Sequence, residues 1–162
     1  MLYLVRHAKA GSRRDWDGDD RDRPLSEAGC RQAEQIAEQL AGPASKRSVR
    51  ALRTSPNLLR SSPYLRCQQT LEPLARRLGQ EVEIDERLAE GTPVEIVLQL
   101  LGEEPDGTVL CSHGDVIPET ISALHRRGCR LRGEPDWRKA TVWVVDRRDG
   151  EFLEAHVWAP PS

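Results

Sequence analysis

Four residues with chemistry to offer stand where short apolar runs end. Arg6 and His7 close the run that begins Leu2-Tyr3-Leu4-Val5. His113 follows the run Thr108–Ser112, and Arg66 falls in the segment Ser62-Pro63-Tyr64-Leu65-Arg66, just past a third run at Asn57–Ser61. Two guanidinium and two imidazole groups on one rim repel one another unless an anion lies between them. A guanidinium forks across two oxygens of one oxyanion, which an ammonium cannot do. The residue types therefore point to a phosphate pocket. Helix N-termini after Ser62 and Gly114 would add free N–H groups to it.

These residues meet only if the elements bring the ends of the runs together. Leu2 to Arg6 reads as a strand buried on both faces. A charged loop, 9–23, leads to a helix whose signals are Pro24, Ser26 as N-cap and Glu27 in the first turn. Its apolar face is Leu25, Gly29, Ala33, Ile36, Ala37 and Leu40, and Gly42-Pro43 ends it. Residues 43–56 lack a period and read as a loop. The strand Asn57–Ser61 precedes a helix with Pro63 at its first position. That helix buries Tyr64, Cys67, Leu71, Leu74 and Leu78, kinks at Pro73 and is capped by Gly79. Glu81–Asp85 alternates as a strand, and Thr92-Pro93 opens a helix carrying Val94, Val97, Leu98 and Leu101. The strand Thr108–Ser112, a helix over 115–127, and two paired strands, Ala140–Asp146 and Glu151–Val157, complete the chain. The pattern β-α-β-α-β-α-β-α-β-β predicts a three-layer α/β/α fold. Its mostly parallel sheet has six strands, one of them antiparallel near the C-terminus. In such a sheet ligands bind beyond the carboxyl ends of the strands, where the four residues stand.

Composition narrows the function classes. The 162 residues, 38 % apolar and 31 % charged with net charge −2, suit one globular domain over 1–162. They do not suit a disordered chain or a membrane span. Arginine outnumbers lysine 21 to three, either as coding bias or because some of it grips phosphate. Near-zero net charge, with arginines spread along the chain and no interleaved aromatics, speaks against a nucleic-acid partner. No basic segment followed by a long apolar stretch begins the chain, so no membrane partner is expected and the cytoplasm is the expected compartment. Cys30, Cys67, Cys111 and Cys129 form no C-x-x-C pair, so no zinc or other metal site is expected and free thiols in or near the core are.

The segments Leu4-Val5-Arg6-His7-Ala8, Ser61-Ser62-Pro63-Tyr64-Leu65-Arg66-Cys67-Gln68-Gln69-Thr70, Arg87-Leu88-Ala89-Glu90-Gly91 and Cys111-Ser112-His113-Gly114 occur in this order. In that arrangement the chain resembles the histidine phosphatase superfamily, of the phosphoglycerate mutase-like fold, from Leu2 to about Val157. Arg23-Pro24-Leu25-Ser26-Glu27-Ala28-Gly29 is similar to the short, SixA-like branch. Residues 9–22 and the run 111–118 resemble the C-terminal phosphatase half of mycobacterial two-domain Nudix hydrolases, which implies a functional link to a Nudix-type hydrolase. The Arg-His-Gly (RHG) motif of the family reads Arg-His-Ala here, a change that ordinary backbone dihedrals at Ala8 would tolerate.

The resemblance implies a role for each matching position. His7 is the implied nucleophile, forming a phosphohistidine; it must be neutral to attack, and positive charge from Arg6 and Arg66 would help by lowering its pKa. Arg6, Arg66 and His113 would hold the phosphate oxygens, with no metal and no cofactor required. Glu90 matches the acid/base glutamate, with Asp15, Asp17, Asp19 and Asp20 of the long loop as rivals; a solvated carboxylate is its other reading. Ser12 either adds a hydroxyl to the phosphate pocket or makes a turn. The segments between Arg66, Glu90 and His113 are too short for the lid of the family's mutases, so water should reach the intermediate and hydrolysis is expected. Two partner classes stay open, a phosphohistidine protein and a small phosphate ester or nucleotide. A phosphate-binding module of the same fold without turnover is the alternative to an enzyme.

Overall fold

The computed structural model describes residues 1–42 and 56–162; the loop expected over 43–56 lies outside them except for Pro56. Seven strands form one sheet in the order β3-β2-β4-β1-β6-β7-β5. They are β1 (Leu2–Arg6), β2 (Leu58–Ser61), β3 (Val82–Ile84), β4 (Thr108–Ser112), β5 (Arg130–Arg132), β6 (Val142–Arg148) and β7 (Glu151–Trp158). All run parallel except β6, which is antiparallel to β1 and β7. The expected class and the lone antiparallel strand hold, but the sheet has seven strands rather than six. The extra one is β5, with a single apolar residue, Leu131, between two arginines. It carries no apolar run to read, because an edge strand is fixed by pairing and charge rather than by burial. Arg130 and Arg132 both reach Glu154 on β7, at 2.7 and 3.0 Å.

Alternation along the central strands builds two cores. Tyr3 and Val5 face one side, with Ile36 and Leu40 of α1 (Glu27–Ala41) and Leu71 and Leu74 of α2 (Leu65–Leu78). Leu2 and Leu4 face the other, with Leu100 and Leu101 of α3 (Val94–Glu103) and Ile117 and Ile121 of α4 (Val116–Arg126). Period-2 side chains under two helical layers make the three layers.

Helix starts depart from expectation at one point. α2 begins at Leu65 with Tyr64 as N-cap, so Pro63 stands ahead of the cap instead of at the first helical position. Pro73 lies inside α2, which continues past it to Leu78. Ser26 caps α1 as expected, accepting from Gly29 N at 3.1 Å. Gly29 is needed for close approach: a Cβ there would stand 2.8 Å from the Lys9 carbonyl carbon. The β6–β7 hairpin turns through Asp149 and Gly150, both at positive φ (50° and 79°), a two-residue turn matched to strand twist. Three of the four cysteines are buried and Cys30 is exposed.

The layers fix where a ligand can sit. The chain leaves β1 for α1 on one face and leaves the adjacent β4 for α4 on the other, so a crevice opens between the two strand ends.

Candidate active site

Register brings the site residues to that crevice. Arg6 pairs with Ser112, and Ser61 with Cys111. His7 N then bonds Ser112 O at 3.1 Å and Ser62 N bonds Cys111 O at 3.0 Å. His7, Ser62 and His113 thus leave three neighbouring strands at one level, and Arg66 follows in the first turn of α2. The cleft they border has a volume of about 530 Å³. Arg6, His7, Ser12, Arg66 and Glu90 line it directly, while His113 is buried, its ring centroid 5.5 Å from that of His7.

The two imidazoles are held in defined tautomers. His7 Nδ1 lies 2.8 Å from Ala8 O. A carbonyl only accepts, so Nδ1 carries the proton and Nε2 keeps its lone pair. The backbone at Ala8 is itself anchored, Ala8 N donating to Thr70 Oγ1 at 3.0 Å and that hydroxyl to Arg66 O at 2.7 Å. Burial pushes His7 down from 6.5 to about 3; the bond to Ala8 opposes this, and His113, Arg66 and Lys139 add to it. Of the two charges expected to help keep His7 neutral, Arg66 does so and Arg6 is not among the causes. Burial is the main cause, and His113, Arg66 and Lys139 are the neighbours that add to it. At His113, Ser62 Oγ stands 2.8 Å from Nε2 and accepts from Tyr64 N at 3.3 Å. The hydroxyl that accepts from Tyr64 N has its own proton to give, and donating it to Nε2, 3.6 Å from Cys67 Sγ as well, places the His113 proton on Nδ1. That Nδ1 has no hydrogen-bond partner, and Glu90 Oε1 is 3.7 Å away.

Arg66 is fully buried, a cost of several kcal/mol unless its charge is matched. Its Nη1 donates to Asp20 O at 2.8 Å, and its Nη2 to Asp20 Oδ2 and Glu90 Oε1, both at 3.1 Å. Its Cζ lies 4.7 Å from the Tyr64 ring centroid. Arg6 donates through Nη1 to Trp137 O; burial lowers its pKa and Asp115 raises it. Gly114 makes room for it, since a Cβ there would lie 2.5 Å from Arg6 Cζ and 2.8 Å from Nε. Arg6 Nε, Arg66 Nε and His113 Nδ1 are buried without a hydrogen-bond partner among the described residues. An oxyanion is the ligand that satisfies three such nitrogens at once.

Glu90 lines the cleft, with Arg13 Nη2 at 3.0 and 3.2 Å from its two oxygens. Of the loop aspartates only Asp20 reaches the site. Burial alone would raise its carboxyl, but Arg23, Arg66 and Arg13 outweigh burial and hold it low, which suits a fixed counter-charge. Ser12 lines the cleft and its carbonyl accepts from Asp15 N at 3.2 Å, so it both borders the pocket and starts a turn. The sequence reading missed Arg23, Lys139 and Asp115, all on the cleft wall. Asp115 had a signal, lying in the same short run as His113, and its Oδ2 accepts from Gly91 N at 2.8 Å. Lys139 had none. It is delivered by Ala140, a left-handed non-glycine (φ 67°) whose N–H bonds both Arg6 O (3.1 Å) and His7 O (3.2 Å). Among the described residues no group of His, Cys, Asp and Glu is arranged to hold a metal ion. Among the described residues no helix is long and apolar enough to cross a membrane.

Comparison with known proteins agrees with this geometry. An 8-oxo-(d)GTP phosphatase of Mycolicibacterium smegmatis is 33 % identical over 169 residues, covering 99 % of this chain and 48 % of the relative. The chain thus spans about half the length of that relative. The structure of SixA from Agrobacterium tumefaciens superposes with a TM-score of 0.72 at 27 % identity, over 98 % of this chain and 97 % of that one. A protein histidine phosphatase SixA complexed with tungstate superposes at 0.70, with 24 % identity over 95 % and 94 % of the two chains, and shares the fold. The family model of the histidine phosphatase superfamily (branch 1) matches residues 2–92, more than half of the sequence, and the chain belongs to that superfamily.

Proposed function

We propose that the protein is a phosphohydrolase in which His7 takes the phosphoryl group, and that it acts on small phosphate esters, nucleotides among them. The observation that carries this is the state of His7: neutral, with Nδ1 donated to Ala8 O and the Nε2 lone pair beside Arg6, Arg66 and His113. Nε2 forms a bond to phosphorus as the bond from phosphorus to the leaving oxygen breaks. Arg6, Arg66 and His113 Nδ1–H bind the non-bridging oxygens and stabilise the charge that spreads over them. Glu90 gives a proton to the leaving oxygen, then takes one from the water that cleaves the phosphohistidine. The guanidinium groups supply the positive charge that Mg²⁺ supplies in other phosphoryl transfers, so the reaction we propose uses no metal.

An ester is favoured over a phosphohistidine protein because a carboxylate stands at the cleft. An alkoxide needs a proton to leave, whereas imidazole departs with little help. The name of the mycobacterial relative, an 8-oxo-(d)GTP phosphatase, supports the nucleotide class. The test is phosphate release from aryl phosphate, nucleotides and a phosphohistidine protein, with His7→Ala as blank. Activity should vanish in the blank, and trapped phosphoenzyme should be acid-labile and base-stable. Glu90→Gln should lose about 100-fold on the ester and little on the phosphoramidate. Phosphate binding without release would instead assign a binding module.

A further inference from the structure

A second cleft, of about 650 Å³, adjoins the first, and Lys139 belongs to the walls of both. Its other charged walls are Lys9, Arg31 and Arg138, and no Asp or Glu side chain lines it. The phosphate cleft differs in carrying two carboxylates, Glu90 and Asp115. Within the second cleft the cations are of two kinds. Arg31 is held by Glu27 at 2.6 Å and Arg138 by Asp136 at 2.5 Å. The ammonium groups of Lys9 and Lys139 have no hydrogen-bond or ionic partner among the described residues. Lys139 instead faces Arg6, Arg23, Arg66 and Arg13, which together with burial lower its pKa.

Lys9 is presented from a fixed base. Its N–H donates to Gln32 Oε1 at 3.1 Å, and its carbonyl accepts from Ser26 N at 3.0 Å and Ser26 Oγ at 3.2 Å. Two ammonium groups without an ionic partner, Lys139 half-buried and Lys9 exposed, in a concave site that no Asp or Glu side chain lines suit an anion. A dianion matches both, whereas a single carboxylate leaves one uncompensated. Lys139 lines both clefts and acts electrostatically on His7, so an anion held at Lys139 borders the phosphate cleft.

We propose that this second cleft is the subsite for a second phosphate, so that the substrates are small molecules carrying two or more phosphates, one at His7 and another between Lys139 and Lys9. The proposal rests on the phosphohydrolase reading and names its substrate class.

The test compares kcat/KM for a nucleoside 5′-monophosphate with that for its di- and triphosphate. Wild type should favour the longer compounds by about tenfold, the worth of two partly exposed ion pairs. Lys9→Met should cut that ratio about threefold and Lys9→Arg should keep it. A wild-type ratio near one, or a ratio unmoved by Lys9→Met, overturns the proposal. So does a phosphohistidine protein that outcompetes all three nucleotides. If wild type releases phosphate from none of them, the phosphohydrolase reading fails on its own. Calorimetric binding of the mono- and triphosphate to wild type and Lys9→Met then decides the subsite. Tighter triphosphate binding that Lys9→Met weakens supports it, and equal binding overturns it.

Discussion

The neutral state of His7 has a consequence for folding that can be measured without any substrate. Burial lowers its pKa from 6.5 to about 3. Below pH 6.5 the unfolded chain takes up a proton at this residue that the folded chain refuses, so folding loses stability as the pH falls. The stability is fully present above 6.5 and is lost on the way down to about 3. At about 1.4 kcal/mol per pH unit, lowering the pH from 6.5 to about 5 removes about 2 kcal/mol. The carboxylates held low, Asp20, Asp85, Asp106 and Asp136, also cost stability in acid, but they do so nearer their own lower range. The comparison is His7→Gln, whose amide can still donate to Ala8 O and does not titrate. Urea unfolding of both proteins at about pH 7.5 and about pH 5 gives four free energies. Wild type should lose about 2 kcal/mol more than the variant over that interval. Equal losses would refute the claim that the folded protein keeps His7 uncharged.

Three further substitutions test the supports of the site. Gly114→Ala should push the Arg6 guanidinium from its place and lower kcat/KM for an aryl phosphate by about 100-fold; a loss below about threefold would mean that Arg6 is not needed there. Gly29→Ala would gain about 1 kcal/mol on helix propensity alone, yet the contact with Lys9 should make it destabilising by about 2 kcal/mol in thermal unfolding. A rise in Tm would show that α1 does not dock on Lys9 as described. Ser62→Ala removes the donor to His113 Nε2 and should lower kcat about tenfold with KM little changed. Ser62→Thr should restore most of it, and an unaltered pH–rate profile in Ser62→Ala would count against the tautomer assigned to His113.

Legibility in the sequence followed burial. β1 and β4 were readable because both faces of each strand are covered and every apolar residue counts. Arg6, His7, Arg66, His113 and Glu90 were readable because each sits at a fixed offset from such a strand or in a short motif after it. Lys139 and Arg23 were not. Lys139 enters the cleft from a loop whose course depends on long-range bonds, Ala140 N to Arg6 O and His7 O, and Arg23 is aimed by side-chain bonds inside its own loop, Nε to Asp20 Oδ1 at 2.8 Å and Nη1 to Gly11 O. Spacing along the chain carries no trace of those bonds. The main cause of the neutral His7 was missed for a related reason. Neighbouring charge can be guessed from residue names, while burial depends on how the layers close over the ring.

The closing layers also explain why a fully buried arginine is tolerable before any substrate arrives. Arg66 lies between Asp20 and Glu90, two carboxylates with different holds on their surroundings. Asp20 is pinned to Arg23 at 2.8 Å as well, and Arg23 donates to Gly11 O. Among the described residues the hydrogen bonds to Glu90 come from arginines that a phosphate also attracts, Arg66 and the exposed Arg13. An incoming phosphate therefore competes with Glu90 and leaves Asp20 in place. On the proposed reading that exchange releases Glu90 from its arginines beside the leaving oxygen, where it takes up a proton and can then pass it to that oxygen. One guanidinium thus links filling of the phosphate site to release of the acid, and Asp20 keeps it aimed while the exchange takes place.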